Sequence, residues 1–311
     1  MTIIPGGILL VLIFIFSLLI TGHIIVYLLR KKIPSKDYHE LILRIQSWWY
    51  IFLGFFIFIV LNKTLAIITL AFLSFLALKE YLSLIPTRRA DRRVLFFAYL
   101  AIPVHYYWIG TEWYGMFIIF IPVYVFLFIH ILMILIGETK GFLKAAGTLH
   151  WGLMITVFGF SHLAYFIVMP NNPSLPSSNI GLVLFIVLLT QLNDVFQYVW
   201  GKVLGKRKII PSVSPNKTVE GFVGGVATTT ILSVLLAPWL TPMNIAMSII
   251  AGIIIGIGGF VGDLTISAFK RDLRVKDTGH TIPGHGGILD RIDSLTFTVP
   301  VFFHFIRYFY F

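Results

Sequence analysis

Residues 8–29 read ILLVLIFIFSLLITGHIIVYLL, a stretch without one charged side chain. A bilayer core about 30 Å thick takes roughly 20 residues of helix, so this run is long enough to cross one. It has no basic residue before it and is longer than the apolar region of a typical cleaved signal, so a retained first helix is expected. Comparable runs recur along all 311 residues, and spans are expected at 5–29, 48–61, 65–78, 94–110, 116–136, 147–169, 179–200, 220–240, 243–261 and 295–310. Hydrophobic residues make up 58% of the chain and mean hydropathy is +0.92. That composition predicts an all-α polytopic integral membrane protein with nine or ten transmembrane helices, not a soluble domain. The second and third spans are short, and Asn62-Lys63-Thr64 between them reads as a hairpin tip; nine spans result if this pair is re-entrant.

Charge placement orients the helices. Apart from Lys63 and Arg307, all 24 lysines and arginines fall in the segments 30–47, 79–93, 137–144, 201–219 and 262–293. The alternate segments 111–115, 170–178 and 241–242 hold none. By the positive-inside rule the basic set faces the cytoplasm, and the net charge of +11 is explained by orientation and by anionic lipid headgroups. Nucleic acid is not an expected partner, because no soluble basic domain or zinc spacing accompanies the charge. The chain has no cysteine, which excludes disulfides and thiolate chemistry. Two sets of helices are expected: 1–145, rich in Phe and Ile, and 146–311, where polar groups enter the spans.

Three polar constellations stand out in the second set. Asp194 sits with Gln191, Asn193 and Gln197 in an otherwise apolar helix, where a carboxylate is costly unless it meets a cation, a cavity or a partner. Interhelical hydrogen bonding, metal binding and nucleotide binding all remain open for it. Next comes Ser214-Pro215-Asn216-Lys217-Thr218-Val219-Glu220-Gly221, a turn running into a helix start, where free backbone N–H groups, hydroxyls and a lysine suit a phosphate. Last is Ser267–Asp293, SAFKRDLRVKDTGHTIPGHGGILDRID, preceded by Asp263 after a glycine-rich span end. Glycines let backbone N–H groups approach phosphate oxygens, lysines and arginines neutralise them, and aspartates hold a bridging divalent ion. Asp290 and Asp293 share one face if their segment is helical, and Asp263 reaches Asp290 if the loop folds back. Gly221/Gly225 and Gly252/Gly256 have the spacing of close helix packing. His23, His105, His130, His150 and His162 show no metal spacing, so ordinary helix contacts are expected.

The order Ser267-x-Phe269-Lys270-Arg271, Lys276-Asp277-x-Gly279, Pro283-x-His285-Gly286-Gly287-x-x-Asp290-Arg291-x-Asp293 resembles the signature of phosphatidate cytidylyltransferases, or CDP-diacylglycerol synthases. Asn193-Asp194, Gly201-Lys202, Gly205-Lys206 and the block Val213–Phe222 resemble the family's other shared region, with Val219 where tryptophan is common. The resemblance covers about residues 180–295. It implies transfer of a cytidylyl group from CTP to phosphatidate, releasing pyrophosphate, at the cytoplasmic face of the cell membrane. It also implies a site. Asp263, Asp290, Lys270 and Lys276 form the expected catalytic set. Mg²⁺ is expected on Asp263 and Asp290 with Asp293 nearby. Asp194, Ser214, Asn216, Lys217, Thr218, Glu220, His285, Gly286 and Gly287 are expected around the nucleotide, and Arg207, Lys208 and Arg271 around the lipid phosphate. A second, monovalent cation and a homodimer stay open. A CTP-dependent polyprenol or dolichol kinase and an ion-coupled transporter are the competing readings; no internal repeat favours the transporter.

Overall fold

The computed structural model describes residues 5–33, 38–55, 57, 62–279, 281 and 286–311. Among the described residues the long helices are α1 (Gly6–Lys32), α2 (His39–Phe55), α3 (Lys63–Leu84), α4 (Arg92–Gly110), α5 (Tyr114–Leu135), α6 (Phe142–Val168), α7 (Ser178–Leu204), α8 (Val219–Leu240), α9 (Ile245–Asp272) and α10 (Leu289–Tyr310). Seven of them (α1, α3 and α5–α9) are long and apolar enough to cross a membrane. No strand occurs among the described residues, and the protein is an all-α, multi-pass membrane protein.

The expected spans coincide with helices, but several boundaries move, two of them furthest. α2 starts at His39, nine residues before the expected 48, and α9 runs on to Asp272 beyond the expected 261. The α9 extension carries charged residues, and a helix end accommodates them because the backbone ladder does not depend on side-chain polarity. Asp263, Lys270 and Arg271 therefore ride on a helix, not a loop. The division at 145/146 falls inside α6. α5 and α6 each contain a wider turn, Phe120–Val125 and Met154–Gly159. Pro122 lies within the first, where its missing N–H breaks the regular ladder.

Polar residues set the helix starts. Asn62 Oδ1 accepts from Leu65 N–H at 2.9 Å, so the expected hairpin tip is also the N-cap of α3. Thr218 caps α8, and Asn244 caps α9. α7–α10 pack on one another, and α6 joins that bundle to α3 and α4. Asn193 ties three of these helices: its Nδ2 donates to Gly256 O at 3.2 Å, and its Oδ1 accepts from Thr229 Oγ1 at 3.1 Å. Glycines permit the close approach. A side chain at Gly252 would strike Thr230, and one at Gly225 would strike Gln197.

Contacts between loops sort them into two faces, matching the alternation of basic and uncharged segments. On one face Lys63 pairs with Glu112 at 2.6 Å, and Asn172 Nδ2 donates to Tyr310 O at 2.8 Å. On the other, Arg88 Nη1 donates to Glu138 O at 2.7 Å and Lys140 O at 3.0 Å. Arg271 Nε donates to Val213 O at 3.2 Å on that same basic face. His105 and His162 are buried between helices, bonded to Ser161 and to Phe158 O.

Candidate active site

The segment between α7 and α8 folds back on itself. Lys208 and Thr218 form an antiparallel bridge, Ile209 N–H donates to Lys217 O at 3.2 Å, and Val219 N–H donates to Arg207 O at 2.9 Å. Thr218 Oγ1 accepts from Gly221 N–H at 3.1 Å and starts α8. Lys217 is thereby aimed across the bundle: its Nζ lies 2.5 Å from Asp263 Oδ2 on α9, donates to Gln197 Oε1 at 3.4 Å, and sits 4.8 Å from the Phe260 ring centroid. Asp263 Oδ1 also accepts from Ser267 Oγ at 3.2 Å.

These groups border a cavity of about 570 Å³. Asp194, Lys208, Ser214, Asn216, Lys217, Thr218 and Asp263, all expected from sequence, line it with Gln197, Tyr198, Gly201, Lys202, Phe222 and Phe260. Lysines, a helix start and aromatic rings in one lining suit a ligand with anionic and planar parts. Glu220 is not among the lining residues. It accepts from Lys206 N–H at 3.0 Å, Arg207 N–H at 3.2 Å and Arg207 Nε at 3.3 Å, holding the loop in place.

The second motif forms a separate cluster around Asp290. Its carboxylate takes Lys270 Nζ at 2.7 Å, Thr278 N–H at 2.8 Å, Thr278 Oγ1 at 2.9 Å and Gly287 N–H at 3.1 Å. Asp290 thus turns to Lys270 and its own loop, where the expectation had it meeting Asp263. Gly286 has φ +78°, a conformation that suits glycine. Lys276 is exposed and lies outside the cavity lining. His285, like Pro283 and Gly284, lies outside the described residues.

Sequence reading missed Glu80. Buried on α3, it accepts from Thr281 Oγ1 at 2.6 Å, from Ile288 N–H at 2.9 Å and from Leu289 N–H at 2.9 Å. A carboxylate at the first N–H groups of α10 caps that helix and complements its dipole. The available signal was one acid inside the apolar run of α3.

Asp194, on α7, accepts from Ser294 Oγ of α10 at 2.9 Å through Oδ2, while its buried Oδ1 has no hydrogen-bond partner. Asp194, Asp263 and Asp293 lie within electrostatic reach of one another. Among the described residues, no three histidine or carboxylate side chains stand close enough to enclose a metal ion. The arrangement fits a hard cation that takes one or two carboxylates and completes its shell with phosphate and water. Asp194, with one oxygen free, and Asp263 suit that role better than Asp290 because both line the cavity and Asp290 does not.

Residues 42–309 match the Cytidylyltransferase family. The chain belongs to that family, and with it to the membrane-embedded nucleotidyltransferases. Among similar proteins, uncharacterized protein YnbB of Escherichia coli (strain K12) is 44% identical over 298 residues, covering 94% of this chain and 96% of that protein. The phosphatidate cytidylyltransferase of Staphylococcus saprophyticus is 40% identical over 126 residues, 40% of this chain and 48% of its own length. That of Staphylococcus aureus (strain COL) is 38% identical over the same shares.

Proposed function

We propose that this protein is a phosphatidate cytidylyltransferase, converting CTP and phosphatidate to CDP-diacylglycerol and pyrophosphate in phospholipid biosynthesis. The observation that carries this reading is the Lys217–Asp263 pair at the wall of the 570 Å³ cavity, beside the start of α8. The names of the staphylococcal relatives support the lipid acceptor. The positive-inside rule supports a cytoplasmic location for the basic face, so that CTP arrives from the cytosol.

Lys217, beside the positive end of the α8 dipole, binds the nucleotide phosphates. Phe222, Phe260 and Tyr198 give the base an apolar wall. Lys208, with Arg207 and Arg271 on the same face, attracts the anionic headgroup. A phosphatidate oxygen, already ionised near neutral pH, attacks the α-phosphorus of CTP. The new P–O bond joins the two phosphates as the bond to pyrophosphate breaks. No strong general base is needed, so catalysis rests on position and charge. Asp194 and Asp263, with Asp293 behind them, would hold Mg²⁺, which neutralises charge on the phosphates. Asp290 and Lys270 position the glycine turn.

Purified protein in detergent, given labelled CTP, Mg²⁺ and phosphatidate, should yield a lipid-soluble cytidine product and release pyrophosphate. Neither product forming with any phospholipid acceptor would sink the proposal. Transfer of the γ-phosphate to a polyprenol would make the protein a kinase.

A further inference from the structure

A second cavity, of about 310 Å³, lies between α2, α3, α6, α7 and α10. Its walls are almost wholly apolar, with Ile51, Leu73, Leu163, Val187 and Leu295 among them. Thr69, Gln191 and Arg291 also line it, and Arg291 is the only charged residue among the lining residues. The Arg291 Nε is buried without a hydrogen-bond partner, and no ion pair holds the guanidinium among the described residues. Asp194 lies within electrostatic reach of Arg291 but makes no hydrogen bond to it, so the donor fork stays open to an anion.

The two cavities adjoin. On α7, Gln191 faces the apolar groove, and Asp194, one turn on, faces the polar cavity. On α10, Arg291 and Leu295 line the groove, and the intervening Ser294 donates to Asp194. A phosphate at Arg291 would therefore stand beside the nucleotide site.

We infer that this groove seats an acyl chain of an anionic phospholipid while Arg291 takes its phosphate, delivering the acceptor next to Asp194. Charge and polarity select this occupant. A neutral lipid leaves Arg291 unpaired, and free phosphate or a nucleotide leaves the apolar walls unfilled. As an assignment of the acceptor's seat, the inference rests on the proposed cytidylyl transfer. It also separates the seat of the lipid phosphate from Arg207, Lys208 and Arg271, which attract it at the surface.

The test measures binding of phosphatidate, phosphatidylcholine and inorganic phosphate to purified protein without CTP, and binding of CTP separately. Wild type should prefer phosphatidate to both other probes. Arg291→Gln should weaken phosphatidate binding about ten- to a hundredfold, the value of a charge-assisted contact, and keep CTP binding. Arg291→Lys should restore part of it. Val187→Phe, which fills the groove and keeps Arg291, should weaken long-chain phosphatidate more than the dihexanoyl form. Unchanged long-chain affinity in both Arg291→Gln and Val187→Phe overturns the assignment, as does a loss confined to CTP. If Arg291→Gln does not fold, Val187→Phe decides alone. Lipid bound here without formation of a cytidine lipid would defeat the activity and leave the site standing; turnover with unaltered lipid affinity in both variants would do the reverse.

Discussion

Lys217 Nζ and Asp263 Oδ2 lie 2.5 Å apart, joining the turn before α8 to the last third of α9 at the wall of the polar cavity. Each member of this pair is thereby presented to a ligand with the other beside it. Lys217→Ala should weaken CTP use or slow the chemical step about ten- to a hundredfold, the worth of a charge-assisted hydrogen bond. Steady-state kinetics with CTP and phosphatidate varied separately provide the check. A change confined to the phosphatidate dependence would reassign Lys217 to the lipid.

Asp263→Asn and Asp290→Asn should each abolish turnover with the protein still folded in the membrane, for different reasons. Asp263→Asn removes charge from the cavity wall; Asp290→Asn loosens Thr278 and Gly287, whose N–H groups it holds. Limited proteolysis separates them, because only the Asp290 variant should expose the backbone at Thr278 and Gly287 to cleavage. Near-normal activity in either at limiting Mg²⁺ would refute its assignment.

Asp194→Asn keeps the bond from Ser294 and loses charge. It should weaken Mn²⁺ binding, measured by water-proton relaxation, on the order of tenfold or more, corresponding to about 1.4 kcal/mol. Equal Mn²⁺ affinity in variant and wild type would show that Asp194 serves only helix packing.

Glu80→Gln should lower thermal stability in detergent, since each charged hydrogen bond lost costs about 1.5–3 kcal/mol. Glu80→Ala should cost more, leaving the Ile288 and Leu289 N–H groups without their acceptor. An unchanged unfolding temperature in both variants would deny the cap.

The cysteine-free sequence permits a direct topology test. Single cysteines at Ser177 and Ser212 should label from opposite sides, with Ser177 alone reached from outside by an impermeant reagent. Outside labelling of Ser212 would put the nucleotide cavity in the wrong compartment.

Apolar runs made the helices legible, because a membrane span has a length requirement and few charges. Helix ends were less legible: residues 39–47 and 262–272 carry charges that read as loop, though the backbone remains helical. Lys217 was recoverable from a local signal, a turn followed by an N-cap. The partners of Asp290 were not. Its neighbours Lys270, Thr278 and Gly287 are brought together by the loop's path, which residue types alone do not specify. Glu80 lies some two hundred positions from the N–H groups that it caps, beyond the reach of any local pattern.

That long-range cap has a bearing on how such chains can diverge. The recognisable motifs all follow residue 190, yet the acceptor that completes the start of α10 comes from α3. A graft of the motif-bearing helices onto a foreign set of leading spans would import every signature residue and still lack this one carboxylate. The leading helices can vary freely in their lipid-facing residues, but exchange between relatives should preserve an acidic side chain at the position of Glu80.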